Sequence, residues 1–175
     1  RRVAGCWDGF ETCVRAIVGQ QISVAGAITI VGRLVERYGV ECDLGAGISH
    51  AFPSSQKLAA ELELEHLAMP RARAQAILNL CQAHASGTID FDIMSSTELM
   101  HALQNIKGIG PWTASYVALR AMHEPDIMPM EDLVLQKMIV PGKRLTAKQL
   151  ATKSQAWRPW RAYATLHLWQ LANKK

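Results

Sequence analysis

The stretch "LQNIKGIGPWTASYVALRA", residues 103–121, sets two glycines on either side of one isoleucine, between two segments with the spacing of helices. Glycine lacks a Cβ atom and therefore reaches positive φ, which we expect at both Gly108 and Gly110. Pro111 suits the first position of the second helix, where the N–H group that it lacks would have no helical partner in any case. The stretch predicts a helix, a tight turn and a second helix.

Two other kinds of glycine-rich phosphate loop do not fit this pattern. A dinucleotide-binding fingerprint needs a third glycine where Thr113 stands, and a Walker loop needs Gly-Lys followed by Ser or Thr. The first amides of the second helix are free to bind phosphate, so we expect Lys107, Gly108 and Gly110 to contact a phosphate group. An ordinary glycine-containing turn between helices fits the local residues as well, so the rest of the chain must decide.

The remainder of the chain also has helical patterns. Asp8 with Glu11, and Ser95 with Glu98, have the spacing of capping boxes at helix starts. Helices are predicted to end at Gly19, Gly39 and Gly87 and, later in the chain, to cover 132–139, 146–154 and 158–173. Residues 39–53 form one long irregular stretch, and no alternating strand pattern is bounded by hairpin turns. The sequence therefore predicts an all-α domain.

The composition is that of one globular domain. The chain has 175 residues, of which 49% are hydrophobic and 19% are charged, which is enough to bury a sizeable core. No apolar run approaches the roughly 18 residues that cross a bilayer, and the N-terminus lacks the apolar stretch of a secretory signal. We expect a cytoplasmic protein with no membrane partner. Because the chain starts with Arg1 rather than Met, we also expect an upstream segment or domain to be absent from it.

Charge is distributed unevenly along the chain. Residues 1–132 contain all 15 acidic residues against 10 Lys and Arg, whereas residues 133–175 contain nine Lys and Arg and no acid, so −5 and +9 give the net +4. Trp157, Trp160 and Tyr163 lie within this basic block, which predicts a folded surface. Such a surface favours an anionic partner, with nucleic acid ahead of an acidic membrane surface or an acidic protein.

The cysteines do not have the spacing of a metal site. Cys6, Cys13, Cys42 and Cys81 include no Cys-x-x-Cys pair, and no cysteine occurs beyond residue 81. This distribution excludes a cysteine-ligated zinc or iron–sulfur site near the C-terminus. The six histidines are scattered along the chain. We therefore expect free thiols in a reducing compartment and no required cofactor.

Four segments resemble the helix-hairpin-helix DNA glycosylase superfamily in their order and spacing. They are "FETCVRAIVGQQISVAGA" (10–27), "GIGPWTASY" (108–116), "EDLVLQK" (131–137) and "WRPWRAYATLHLW" (157–169). The resemblance spans nearly the whole chain and is strongest to the bacterial 3-methyladenine DNA glycosylase II branch, whose longer members carry a further N-terminal domain. It implies that residues 1–175 form a helix-hairpin-helix glycosylase domain, with the hairpin near 97–121 and an active-site cleft between two helical lobes.

The resemblance implies a role in base excision repair of nucleoid DNA in a bacterial cytoplasm. Members of this branch rotate an N-alkylated purine such as 3-methyladenine out of double-stranded DNA, and hydrolyse its glycosidic bond to leave an abasic site. Their catalytic aspartate corresponds to Asp132, whose carboxylate would stabilise the positive charge that develops on the sugar. Asp132 also has the residue type of a helix N-cap, and the two roles are compatible.

The resemblance assigns the base pocket to Trp112, Tyr116 and Trp169. Trp112 and Tyr116 are four residues apart, so they share one face of a helix. Electron-rich rings attract a cationic alkylated purine by stacking and by cation–π contact, each worth about 0.5–2 kcal/mol. Aromatic residues at helical spacing also occur in ordinary hydrophobic cores, and that alternative stays open.

The side chain that fills the gap left in the DNA stack is placed by the resemblance at Gln21, next to Gln20. Relatives often have an apolar wedge at this position. A glutamine can instead hydrogen-bond the partner base that has lost its pair. A surface glutamine at a helix boundary is the simpler alternative.

The resemblance adds one possible ion at the hairpin. In complexes of the superfamily, carbonyl groups of the hairpin hold a sodium or potassium ion that bridges to DNA phosphate. The corresponding carbonyl groups belong to Gln104, Ile106 and Ile109. Every residue has a carbonyl group, so the sequence itself does not identify such a site.

Position 112 bears on the type of chemistry. Superfamily members that also cut the DNA backbone have a lysine nucleophile two residues after the second glycine of the hairpin, and here that residue is Trp112. Without this amine no Schiff base forms, which predicts a monofunctional glycosylase. We also expect a monomer. The alternative is a non-catalytic helix-hairpin-helix module that grips DNA within a larger repair or regulatory protein. Asp132 and Trp112 favour the enzyme, because phosphate binding needs neither.

Overall fold

The computed structural model describes residues 2–43, 45 and 47–172, which fold mainly as helices. In chain order the helices are α1 Gly9–Val18, α2 Val24–Tyr38, α3 Ser55–Glu61, α4 Arg71–Ala85, α5 Ser96–Gln104, α6 Pro111–Ala121, α7 Leu133–Met138, α8 Ala147–Lys153 and α9 Arg161–Ala172. Short 3₁₀ turns occupy Leu64–Leu67 and Ser154–Trp157. The predicted all-α class is confirmed. The helices predicted over 132–139 and 146–154 are one residue shorter at each end. The helix predicted over 158–173 begins three residues later, and residue 173 lies outside the described residues.

A small hairpin lies within the stretch that was expected to be irregular. Strand β1, Val40–Glu41, pairs antiparallel with β2, His50–Ala51, with Val40 opposite Ala51 and Glu41 opposite His50. Two-residue strands are too short to produce an alternating sequence pattern, so the prediction had no signal for them.

The helix starts follow their sequence signals with one exception. Ser95 and Glu98 form the predicted reciprocal capping box of α5. At α1 the Asp8 carboxylate accepts from the amide of Glu11 at 2.6 Å, but the Glu11 carboxylate pairs with Arg15 instead of turning back to the cap. The capping box predicted at Asp8 and Glu11 is therefore only half formed, because a guanidinium one turn further on offers Glu11 a charged partner.

Two hydrophobic cores divide the described part of the chain into the two expected lobes. The first core is built from the inward faces of α1 to α6, with residues such as Ile17, Leu80 and Leu103 fully buried. The second core is smaller, and Leu135 and Leu150 lie at its centre with contributions from α7 to α9. The cleft predicted between two lobes therefore corresponds to the junction of these cores.

All four cysteines are free, and burial between α1 and α4 raises the pKa of the thiols of Cys13 and Cys81, the latter to about 12. Buried thiols of this kind are unreactive at neutral pH. Within the described ranges, no helix is both long enough and apolar enough to cross a lipid bilayer.

Candidate active site

The predicted hairpin consists of α5, a turn over residues 105–110, and α6. Gly108 has a φ of +99°, and a Cβ atom added to it would lie 2.6 Å from the Cβ of Ala76 on α4. This position requires glycine both for its backbone angle and for close packing. Ile109 is buried beneath the turn, and its N–H group donates to the carbonyl of Ile106 at 3.0 Å. Packing on the first core therefore fixes the turn.

Gly110 differs from Gly108. Its φ is −94° and its ψ is 175°, so the expectation of positive φ at this residue is wrong. The reason is that Gly110 is the N-cap of α6, where an extended backbone leads directly into Pro111 at the first helical position. A Cβ atom added to Gly110 would meet no heavy atom of the described chain within 4 Å, beyond its immediate neighbours. Open space therefore lies beside the first amides of α6.

The carboxylate of Asp132 is held from both lobes. Asp132 is the N-cap of α7, and its Oδ1 accepts from the amides of Val134 and Leu135, both at 2.9 Å. Its Oδ2 accepts from the indole Nε1–H of Trp112 on α6, also at 2.9 Å. The residue is 7% exposed. The second lobe thus supplies the carboxylate and two of its donors, and the hairpin helix supplies the third.

A column of aromatic rings runs along α6 from this carboxylate. The rings of Trp112 and Tyr116 are stacked, with centroids 5.3 Å apart and planes 16° apart. The guanidinium of Arg120 lies over the other end of the column, 6.0 Å from the Tyr116 ring centroid. Trp112, Tyr116 and Arg120 are spaced by four residues, so they project from the same face of the helix.

A cavity of about 400 Å³ opens between α1 and α6 beside this column. This volume lies in the range of small-molecule sites. The charged and aromatic lining side chains from these two helices and the cap before α1 are Asp8, Glu11, Arg15, Trp112, Tyr116 and Arg120. The indole of Trp7 lies fully exposed at its edge. Trp112 thus contacts both the carboxylate and the cavity.

Trp169 lies on the other side of Tyr116. The centroids of these two rings are 6.2 Å apart, so Trp169 extends the aromatic cluster from the second lobe. Trp169 does not line the cavity next to Trp112. It lines a separate cavity of about 220 Å³, together with Tyr163 and His167. The structure therefore brings the three predicted pocket residues together, but they face two adjoining spaces.

The two glutamines of the predicted wedge have different surroundings. The Nε2 of Gln20 donates to the hydroxyl of Thr113 at 3.0 Å and to the carbonyl of Gly108 at 3.4 Å. Gln20 therefore ties the turn between α1 and α2 to the hairpin. Gln21 is exposed and has a φ of +57°, a conformation uncommon for a residue with a side chain. Of the two, Gln21 is the side chain that projects from the surface.

The segment before Asp132 is fixed by a buried glutamine. Gln136 on α7 is 4% exposed, and its Nε2 donates to the carbonyl of Met130 at 2.8 Å. Its Oε1 accepts from Nε of Arg144 at 3.0 Å, and its main-chain carbonyl accepts from the amide of Leu145 at 2.8 Å. These bonds hold the loop that delivers the carboxylate to the cleft.

The sequence matches a known protein family over most of its length. Residues 14–162 match the family described as HhH-GPD superfamily base excision DNA repair protein. The chain belongs to the HhH-GPD superfamily. This confirms the resemblance deduced from the four sequence segments.

Relatives within the HhH-GPD superfamily share most of this chain. It is 39% identical over 171 residues to DNA-3-methyladenine glycosylase 2 of Escherichia coli, covering 96% of this chain and 59% of the relative. It is 38% identical over 175 residues to the probable bifunctional transcriptional activator/DNA repair enzyme AlkA of Mycobacterium tuberculosis, covering 97% of this chain and 34% of that protein. The chain thus spans between a third and three fifths of the length of these relatives.

Solved HhH-GPD structures have the same fold. The 3-methyladenine DNA glycosylase Mag1 of Schizosaccharomyces pombe, in complex with abasic DNA, superposes with a TM-score of 0.80 at 22% identity, covering 99% of this chain and 84% of that one. The DNA-3-methyladenine glycosidase of Bacillus halodurans gives a TM-score of 0.77 at 26% identity, with coverage of 98% and 79%. These similarities confirm the two-lobed HhH-GPD architecture.

Two residues of the basic C-terminal block of this HhH-GPD domain, Arg158 and Arg161, form ion pairs within the domain. Asp126 accepts from Arg161 at 2.7 Å and from Arg158 at 2.8 Å, and these guanidinium groups hold the pKa of the Asp126 carboxyl below its ordinary value. Four lysines on α7, α8 and the loop between them are exposed: Lys137, Lys143, Lys148 and Lys153. Lys174 and Lys175 lie outside the described residues. On the hairpin, Lys107 is exposed beside Gly108.

The residues expected to hold a monovalent cation lie along one short segment. Gln104 is the last residue of α5, and Ile106 and Ile109 belong to the turn that follows. The described residues contain no group of three or more His, Cys, Asp or Glu side chains that could hold a metal ion.

The charged residues of the cavity were not predicted from the sequence. Glu11 and Arg15 form an ion pair at 2.6 Å on its α1 wall, and Arg120 lies on its α6 wall. The four-residue step from Trp112 to Tyr116 continues to Arg120, so helical spacing contained a signal for this residue. No local signal indicated that α1 would face α6 across a cavity, because that depends on packing.

Proposed function

We propose that this chain is the catalytic domain of a monofunctional DNA glycosylase that excises N-alkylated purines from double-stranded DNA. One observation carries the proposal: the Asp132 carboxylate of the second lobe is fixed at 2.9 Å from the indole of Trp112, and Trp112 lines the cavity between α1 and α6. The similarity to proteins named as DNA-3-methyladenine glycosylases supports the same substrate class. The product would be an abasic site in a bacterial base excision repair pathway in the cytoplasm.

DNA would be gripped at the hairpin. Open space lies beside Gly110 at the start of α6, and Lys107 is exposed in the same turn, which suits contact with a DNA phosphate. Gln21 would enter the stack from the neighbouring turn, with Gln20 holding that turn against the hairpin. A monovalent cation held by the carbonyl groups of the hairpin would add a further link to phosphate. Each of these contacts is independent of sequence, as repair of randomly placed damage requires.

The chemistry would depend on charge stabilisation. An N-alkylated purine is already a good leaving group, so the barrier lies in the cationic sugar that forms as the base departs. A fixed carboxylate next to that sugar stabilises the charge without reorganisation during the reaction. The three donors around Asp132 hold its carboxylate in one orientation. The same carboxylate would orient the water that attacks the sugar.

The proposed enzyme would have no lyase activity. Cleavage of the DNA backbone after base loss uses an amine that forms a Schiff base with the sugar. The position of that amine holds Trp112, whose indole N–H is bonded to Asp132. Treatment with borohydride should therefore trap no covalent complex between the chain and alkylated DNA. A trapped complex would refute the monofunctional assignment.

The direct test uses duplex DNA treated with a methylating agent and chromatography of the bases that are released. We expect the wild-type chain to release methylated purines and Asp132→Asn to retain DNA binding but lose base release. Asparagine keeps an N-cap oxygen for the α7 amides. It removes the charge and replaces the oxygen that accepts from Trp112 with an NH2 group. Asp92→Asn, which removes an exposed carboxylate elsewhere, serves as the control. DNA binding without base release by the wild-type chain would favour the non-catalytic module instead.

A further inference from the structure

Arg120 stands out among the charged residues of the cavity because its guanidinium has no carboxylate partner among the described residues. The other arginine of the cavity, Arg15, is paired with Glu11 at 2.6 Å. No Asp or Glu in the described ranges comes within 4.0 Å of a nitrogen of Arg120, and its recorded neighbour is the ring of Tyr116. A guanidinium presents only hydrogen-bond donors. The donors of Arg120 are therefore available to a ligand in the cavity.

The position of Arg120 follows from the geometry of α6. Side chains on a helix lean towards its N-terminus, so the Arg120 side chain extends back over Tyr116. One four-residue step corresponds to about 6 Å along the helix axis. The guanidinium lies 6.0 Å from the Tyr116 centroid, and that centroid lies 5.3 Å from the centroid of Trp112. Tyr116 therefore stands between the guanidinium and Trp112, whose indole N–H is bonded to Asp132. The carboxylate marks one end of this face and the guanidinium marks the other.

A purine bound along this face would be oriented by its two ends. If the sugar lies at Asp132, as the proposed function requires, the N9 edge of the purine faces the carboxylate. The 6-position is at the opposite side of the ring system and would face Arg120. A carbonyl oxygen at this position accepts from a guanidinium, whereas an amino group there is itself a donor and has no acceptor to offer.

We propose that Arg120 is a specificity-determining residue that favours 6-oxopurines over 6-aminopurines in the base cavity. The proposal rests on the proposed function only for the direction in which the base enters. The charges of the cavity are compatible with it: Asp8, Glu11, Arg15 and Arg120 sum to zero, so Arg120 does not give the cavity a net positive charge that would repel a cationic purine. The carboxylate of Asp132 and the rings of Trp112 and Tyr116 do not distinguish 6-oxopurines from 6-aminopurines. Arg120 makes the 6-oxopurine bind more tightly.

One reaction measures this ranking with an internal standard. Methylated duplex DNA contains both 7-methylguanine, a 6-oxopurine, and 3-methyladenine, a 6-aminopurine, and chromatography separates the two released bases. We expect Arg120→Met to lower the ratio of 7-methylguanine to 3-methyladenine about tenfold, or 1.4 kcal/mol, as the loss of a hydrogen bond to a charged group implies. Arg120→Lys should restore part of the ratio, because an ammonium group still donates. Arg33→Met, a matched change at an exposed site on α2, should leave the ratio unchanged.

A binding measurement separates this proposal from the proposed function. The free bases 7-methylguanine and 3-methyladenine are titrated into wild type and Arg120→Met, and quenching of tryptophan fluorescence reports stacking on the indoles. We expect the preference of the wild type for 7-methylguanine to disappear in Arg120→Met. If no base is released from DNA but this preference changes, the catalytic assignment fails and the role of Arg120 stands. Equal relative affinities in the wild type and the variant, or a release ratio that is unchanged or increased in the variant, would overturn the proposal.

Discussion

Replacing each hairpin glycine by alanine should separate folding from DNA binding. At Gly108 an alanine would need a left-handed backbone, which costs about 1–2 kcal/mol, and its methyl group would lie 2.6 Å from the Cβ of Ala76. Forcing a methyl group into packed space costs about 1–3 kcal/mol. The two effects together predict a loss of about 2–5 kcal/mol for Gly108→Ala. For a chain of this length, the melting temperature should fall by roughly 4–20 °C.

Gly110→Ala should behave in the opposite way. The backbone angles at Gly110 suit any residue, and the space where a Cβ atom would lie is open. Alanine restricts the unfolded chain, which stabilises the fold by about 0.4–1 kcal/mol, but it is a poorer N-cap than glycine. These effects oppose each other, so the stability should stay within about 1 kcal/mol of the wild type. The added methyl group would, however, keep a phosphate away from the α6 amides, and DNA affinity should fall about tenfold.

The assay combines thermal unfolding, followed by circular dichroism, with DNA binding measured at fixed salt on the same preparations. The expected result is a large drop in melting temperature for Gly108→Ala alone, and a loss of DNA affinity for Gly110→Ala at nearly unchanged melting temperature. Equal melting temperatures for the two variants would refute the packing argument at Gly108. Unchanged DNA affinity in Gly110→Ala would refute the idea that phosphate approaches α6 at this point.

Three further predictions concern the site and its surface. Trp112→Phe keeps an aromatic ring next to Tyr116 but removes the N–H donor to Asp132. Base release under single-turnover conditions should therefore slow roughly tenfold or more, with little change in DNA affinity. An unchanged rate would show that this bond is not needed. Lys107→Gln should reduce the slope of log affinity against log salt by about 1, and an identical slope would mean that Lys107 contacts no phosphate. Asp126 has a folded-state pKa below its ordinary value of 3.8, so its ion pairs stabilise the fold above that pH and this contribution is lost as the pH falls through the lowered pKa. Asp126→Asn should therefore destabilise the chain at pH 7 by on the order of 1 kcal/mol, since Arg158 is half exposed and partly screened. Urea unfolding of the wild type and the variant should show that the difference in their free energies of unfolding shrinks below pH 4. A difference that is constant with pH would contradict this.

Much of the local structure was determined by sequence. Helix caps are local interactions over three or four residues, so Ser95 with Glu98 and Asp132 before α7 could be identified from residue type and spacing. The hairpin was equally predictable from sequence, because the glycines of Gly-x-Gly-Pro permit a tight turn and the proline suits the first position of a helix. Gly110 was misjudged because glycine permits positive φ without requiring it.

The site itself depended on contacts between distant residues, and only the tertiary structure decided these. The bond from Trp112 to Asp132 joins two lobes, and the cavity exists because α1 packs beside α6 with Arg15 and Arg120 on its walls. The resemblance identified Asp132, Trp112 and Trp169 as site residues. It did not show that Trp169 lines a cavity separate from the one that Trp112 lines. Local sequence determines which elements form, since their hydrogen bonds are short-range. Which side chains meet is decided by how those elements pack, and this depends on the shapes of all buried residues together.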